Sequence, residues 1–150
     1  MGKILAGFVF CLLAPFTLAG HHEKGEMSAN IMAAKAGYDA FNTGDVEAWK
    51  KTQADDLVFK VLEGLPYSGT FVGQQAVIDN VFSVLEEKWV DFQVKPIAFY
   101  ESGDTVFIHV RMTAEGLDTE SMHMATIKDG KFATFQAFEN SALMMTAAKK

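Results

Sequence analysis

Cysteine is nearly missing from this sequence: Cys11 is its single copy. One thiol cannot build a disulfide framework or a cysteine-ligated metal site. Long basic runs are missing too. No stretch of Lys and Arg exceeds a pair such as Lys149-Lys150, and the formal net charge is -6. Nucleic-acid binding needs a basic footprint, so that class of partner is excluded. A glycine-rich nucleotide fingerprint, a nucleophile elbow and a zinc-ligand spacing are likewise missing, which removes three common kinds of site. No internal repeat or low-complexity segment is present, and no cofactor is expected.

Apolar material is plentiful. Hydrophobic residues fill 49% of the 150 positions, charged residues fill 21%, and 13 residues are phenylalanine. This balance suits one globular domain with a bulky core or a lined cavity. The chain starts with Lys3 and an apolar run from Ile4 to Leu18, interrupted by Pro15 and followed by Ala19. A cationic start, a short apolar centre and small residues at the end predict a signal peptide over 1–19, too short and broken to span a membrane. The expected product is secreted or periplasmic, has no stable membrane insertion, and has lost Cys11. Residues 20–28 read as a flexible leader. Cleavage after Ala19 exposes Gly20-His21-His22. A free amine, two amide nitrogens and a third-position imidazole can wrap Cu(II) or Ni(II) in a square plane, which makes His21 and His22 metal candidates. The motif is short enough to arise by chance.

The domain proper is expected over 29–143, with a tail over 144–150. Ser28 can cap a helix that carries Ile31, Ala34, Tyr38 and Phe41 on one stripe. Gly44 ends it, and Asp45 can cap a second helix that turns Trp49 inward. A strand follows over 57–64, then a turn-rich stretch, then a third helix over 73–89. Four more strands come last, with turns at Ser102-Gly103-Asp104, Gly116-Leu117-Asp118 and Asp129-Gly130. Helices segregated over an antiparallel sheet make an α+β domain.

Several phrases, in this order, resemble the SnoaL-like branch of the nuclear transport factor 2 and ketosteroid isomerase superfamily. They are YDAFNTGDVEAW (38–49), ADDLVF (54–59), GTFVGQQAV (69–77) and KDGKFATFQAFENSAL (128–143). The resemblance covers about 30–143 and implies a cone-shaped fold, in which a curved sheet wraps round the N-terminal helices and leaves a pocket at its open end. It says little about activity, because the fold hosts enzymes, binders and dimerisation modules. The isomerases of that superfamily use a carboxylate base with a tyrosine and a carboxylic acid as donors. The resemblance puts Val61 at the base position, Gly37 at the tyrosine position with Tyr38 beside it and turned away, and His123 at the acid position. With two of the three isomerase groups missing, steroid-type isomerisation is disfavoured. Cyclases of the SnoaL type place an acid/base residue on the same late strand, where His123 can serve. The arginine, glutamate and aspartate often found on the family's last strand are Thr134, Ala137 and Asn140 here.

His123 is the best titratable candidate. Alternation puts it with Ser121, Ala125 and Ile127. Pairing it opposite Met112 gathers Val106, Ile108 and Val110 on the same apolar face, so it looks inward. A slip of one residue would set it with His109 and Arg111 instead. An inward His123 reads as a hydrogen-bonded core residue, a ligand-binding group or an acid/base catalyst. Tyr38, Phe41, Trp49, Phe59, Val61, Tyr67, Met112 and Phe135 are the candidate lining, although periodicity also explains the aromatics as core. Tyr67 sits in a loop near the expected mouth. Phe107, His109, Arg111, Met122 and Met124 make a mixed outward face suited to a homodimer. Two functions stand side by side. One is proton-transfer chemistry of isomerase or cyclase type on a small hydrophobic, carbonyl-bearing molecule. The other is a non-catalytic ligand-binding or homodimerisation module.

Overall fold

The computed structural model describes residues 27–150. The expected signal peptide and most of the leader, with His21 and His22, lie outside the described residues. Helix α1 (Ala29–Thr43) begins where the Ser28 hydroxyl accepts the Ile31 N–H at 3.1 Å. It ends at Gly44, whose φ of 71 lies in the left-handed region that glycine enters without steric cost. Asp45 then caps α2 (Val46–Thr52) through the Ala48 N–H at 2.8 Å. The buried stripe of α1 is Ala34, Gly37, Tyr38 and Ala40, and α2 buries Trp49. Both helices thus turn one face to the sheet.

Six strands form one open sheet: β1 (Gln53–Val61), β2 (Gly69–Val72), β3 (Gln93–Ser102), β4 (Thr105–Ala114), β5 (Leu117–Lys128) and β6 (Lys131–Phe138). Their spatial order is β2-β1-β6-β5-β4-β3. The expected α+β class with a curved sheet over N-terminal helices is the one the chain adopts. Two details differ. Residues read as part of a turn-rich loop form β2, which pairs with β1. The β1–β6 pair is parallel, so the sheet is not wholly antiparallel. A parallel pair needs a long crossover, and here the chain from β2 through β5 lies between its two strands.

The predicted third helix is three pieces: α3 (Gln74–Val77), a π-helical turn (Ile78–Phe82) and α4 (Ser83–Lys88). The wider turn keeps Val77, Val81 and Leu85 all buried at four-residue spacing. The expected tail is also structured. Helix α5 (Ser141–Ala147) buries Met144 completely, and the Trp89 indole N–H donates to the Met144 carbonyl at 2.9 Å. The packed domain therefore continues past residue 143. Among the described residues, no helix is long and apolar enough to cross a membrane.

The β4–β5 hairpin positions the site. Its closing pair is Ala114 with Leu117, so Glu115-Gly116 form a two-residue turn, tighter and earlier than the expected Gly116-Leu117-Asp118. Gly116 takes the positive φ, at 73, at the second central position, where a type II turn places glycine. His123 consequently pairs with Ile108, not Met112. The displacement is an even number of residues, so every side chain keeps its expected face.

Candidate functional site

The inner face of the sheet and the helices enclose a cavity of about 70 Å³. Tyr38 and Phe41 reach it from α1, Trp49 from α2, and Phe59 and Val61 from β1. Tyr67 comes from the β1–β2 loop, His123 from β5 and Phe135 from β6. Met112 is not among the lining residues. It is fully buried opposite Thr119, beyond the reach that its expected pairing with His123 would have given it. Tyr67, expected near the mouth, is a buried wall residue at 2% exposure, with its ring edge-on to Trp89.

Gly37 decides how closely α1 approaches the sheet. A Cβ there would lie 2.7 Å from Cε2 of the buried Phe132 ring, so only glycine admits that ring. The next residue, Tyr38, sits on the same buried side and reaches β5. Its phenol oxygen lies 2.7 Å from Nδ1 of His123, with the two rings nearly coplanar at 15°. The rotation expected to turn Tyr38 away therefore does not separate it from the site. Phe135 packs edge-on against the imidazole, with 5.0 Å between ring centres. This surrounding burial penalises the charged imidazolium and pushes His123 down to about 3. Burial likewise raises the Tyr38 phenol above its ordinary value.

With Nδ1 engaged by Tyr38, Nε2 is left. It is the one buried side-chain nitrogen or oxygen among the described residues without a hydrogen-bond partner. The natural assignment has Tyr38 donating to Nδ1, which puts the neutral ring's proton on Nε2. An unmet buried donor of this kind costs ~1–3 kcal/mol.

A second polar group of the cavity was missed in the sequence. Glu139 follows β6 and lines the cavity, and the Tyr67 hydroxyl lies 3.2 Å from each of its carboxyl oxygens. Both distances are long for an O–H···O bond, and one proton is shared between two acceptors. Burial raises this carboxyl to about 7, partly offset by the Tyr67 hydrogen bond, which favours the ionised form. The signal for Glu139 was its phase. Ala133 is an extra residue in β6, since Phe132 pairs with Ile127 and Thr134 with Thr126. The bulge resets the alternation, so Phe135, Ala137 and Glu139 all face inward. Gln53, at 2% exposure, is a further lining residue that was not anticipated.

Among the described residues, no three His, Cys, Asp or Glu side chains converge as a metal site. The outer face of the same strands carries different chemistry. His109 lies 2.8 Å from a Glu120 carboxyl oxygen, and Arg111 pairs with Asp118. Each pair joins neighbouring strands within the chain.

The SnoaL-like domain family matches residues 34–135, which include every cavity-lining residue except Ala137 and Glu139. The chain belongs to the SnoaL-like domain family. Similar solved structures agree on the fold. An NTF2-like protein of unknown function from Burkholderia pseudomallei K96243 superposes with a TM-score of 0.73 at 23% identity, covering 83% of this chain and 100% of that one. A candidate SnoaL-like polyketide cyclase from Jannaschia sp. CCS1 gives 0.69 at 18% identity, over 82% and 96% of the two chains. TerC, co-crystallized with polyporic acid, gives 0.68 at 24% identity, over 80% and 98%. At these identities the likeness establishes architecture, not activity. No curated protein matches the sequence significantly.

Proposed function

We propose that this SnoaL-like domain binds a small hydrophobic molecule through a carbonyl oxygen, with the Nε2–H of His123 as donor and Tyr38 fixing the ring. The observation that carries this reading is the unpartnered, buried Nε2 in a residue of an otherwise mostly apolar cavity. A carbonyl oxygen supplies the missing acceptor, while the ligand's apolar body meets Phe41, Phe59 and Phe135. TerC, a similar structure co-crystallized with polyporic acid, is consistent with this class of ligand.

The state of His123 shapes the chemistry. Held near 3, the imidazole is neutral at pH 7 and a weak base, so general-base work by His123 is disfavoured. A neutral N–H aimed at a carbonyl can still stabilise negative charge that develops on its oxygen. His123 therefore acts here as a hydrogen-bond donor, and any proton transfer of the isomerase or cyclase kind requires a different base. Calorimetric titration with acetophenone tests the binding reading. His123→Phe, which keeps the ring and removes the donor, should weaken binding about tenfold or more. Unchanged affinity would place the carbonyl elsewhere.

The outer sheet face supports a homodimer as a second element of this proposal. Tyr100, Phe107, Met122 and Phe138 are 58%, 37%, 37% and 41% exposed. Cross-strand pairing sets Tyr100 beside Phe107, Phe107 beside Met124, and Met122 beside Phe138, which gathers these apolar groups on one outer face. Such a patch suits burial against its twofold copy. Sedimentation of the wild type should show a concentration-dependent dimer that Met122→Glu dissociates. Export to a secreted or periplasmic location completes the proposal, supported by the Lys3 and Ile4–Leu18 pattern, and intact mass from the native host should lack residues 1–19.

A further inference from the structure

The carbonyl reading leaves the Glu139–Tyr67 pair without a task. Glu139 shares the inward phase of Ala137, and Ala137 pairs directly with His123. Diagonal neighbours across such a pair stand ~7–8 Å apart, close enough for one small molecule to touch both. An ionised carboxyl offers about four acceptor positions. Tyr67 supplies one proton, at 3.2 Å from each oxygen, and no other side chain among the described residues donates to Glu139. Water or a ligand must meet the remaining demand. Tyr38 is engaged with His123, and Gln53 donates to Thr52 at 2.7 Å.

We propose that Glu139, steadied by Tyr67, is a second polar contact of the cavity that accepts a hydrogen bond from a ligand hydroxyl. The ligand class is then an apolar ring compound with a carbonyl at one position and an alcohol at another. This rests on the carbonyl-binding reading of His123 and narrows it. Tyr67 is a positioning residue: it holds the carboxyl and leaves its open lone pairs to the ligand.

The test compares para- and meta-(hydroxymethyl)acetophenone with the para- and meta-ethyl ketones of nearly the same shape, by calorimetry on the full chain above pH 7, where the carboxyl is ionised. At least one hydroxymethyl isomer should bind the wild type about tenfold or more tightly than its ethyl counterpart. Glu139→Leu should abolish that preference. Should it fail to fold, Glu139→Gln keeps the shape and should lower the preference about threefold or more, since it replaces a charged acceptor with a neutral one. Tyr67→Phe should lower the preference near pH 7 and recover part of it at higher pH, because the carboxyl loses the hydrogen bond that holds it and favours its ionised form. A purely structural role for Tyr67 would not give that result. If the ethyl ketones bind in a His123-dependent way and neither hydroxymethyl isomer is preferred, the Glu139 proposal fails while the carbonyl reading stands. If neither kind of ketone binds the wild type, both fail.

Discussion

Tyr38 and Tyr67 each set a buried phenol against a titratable side chain of the inner sheet face, yet the partners move in opposite senses. Tyr38 meets an imidazole with no other hydrogen-bond partner, and burial holds it neutral, down to about 3. Tyr67 meets a carboxyl that keeps some exposure, and burial holds it protonated up to about 7. In both cases the low-dielectric surroundings favour the uncharged form. The difference lies in what remains open. At the first pair one donor, Nε2–H, is left; at the second, several acceptor positions are left. A cavity with one donor and one acceptor group selects for polarity and direction in a ligand, which an all-apolar cavity of the same size would not do.

The sharpest way to break this comparison is to delete each phenol hydroxyl. Tyr38→Phe strands Nδ1 of His123 in the interior and should cost ~1–3 kcal/mol in urea denaturation. Tyr67→Phe should cost less, because Glu139 can still reach water. Equal losses would mean that the two pairs are equally enclosed.

The pH dependence of stability should separate the pairs by sign. His123 titrates at about 3 when folded and 6.5 when unfolded, so the unfolded chain takes up its proton first. Stability from this residue is complete above 6.5 and is lost as pH falls towards 3. Glu139 titrates at about 7 when folded and 4.5 when unfolded, so the folded chain keeps its proton longer. Its contribution is complete below 4.5 and is lost as pH rises towards 7. His123→Phe should remove the acid-side loss, and Glu139→Gln should remove the decline between 4.5 and 7. Thermal melts across that range check both, and a shared direction would contradict the assignments.

A smaller effect concerns Glu139 alone. Its hydrogen bond from Tyr67 lowers the pKa that burial raises. In Tyr67→Phe the carboxyl should therefore titrate above the wild-type position, as read by carbon NMR of the side chain. A downward move would show that the phenol opposes ionisation instead.

The sequence made the His123 side of this comparison legible and concealed the Glu139 side. Alternation along β5 and the apolar set on β4 fixed the inward face, and an error of even size in the hairpin register left that face unchanged. The same error misplaced Met112, because a partner changes with any shift while a face changes only with odd ones. Tyr38 was half legible. Helical phase put it on the buried stripe, but Gly37's close approach to Phe132, which brings α1 near the sheet, is a tertiary fact. Glu139 was hidden by the bulge at Ala133: counting by twos from the buried Phe132 turns it outward. The π-helical turn had no signal, since its apolar spacing also fits an ordinary helix. The segment after residue 143 looked like a tail because four apolar or small residues per turn do not reveal that Met144 will be caught by Trp89.

The central claim is that His123 sits neutral in the cavity with its Nε2 proton free for a ligand. Nitrogen NMR of the imidazole as a function of pH tests it most directly. The account expects no titration above pH ~4, given a value of about 3, with the proton on Nε2 and a shift of that signal when acetophenone binds. Titration near 6.5, or a proton on Nδ1 that acetophenone does not disturb, would contradict it.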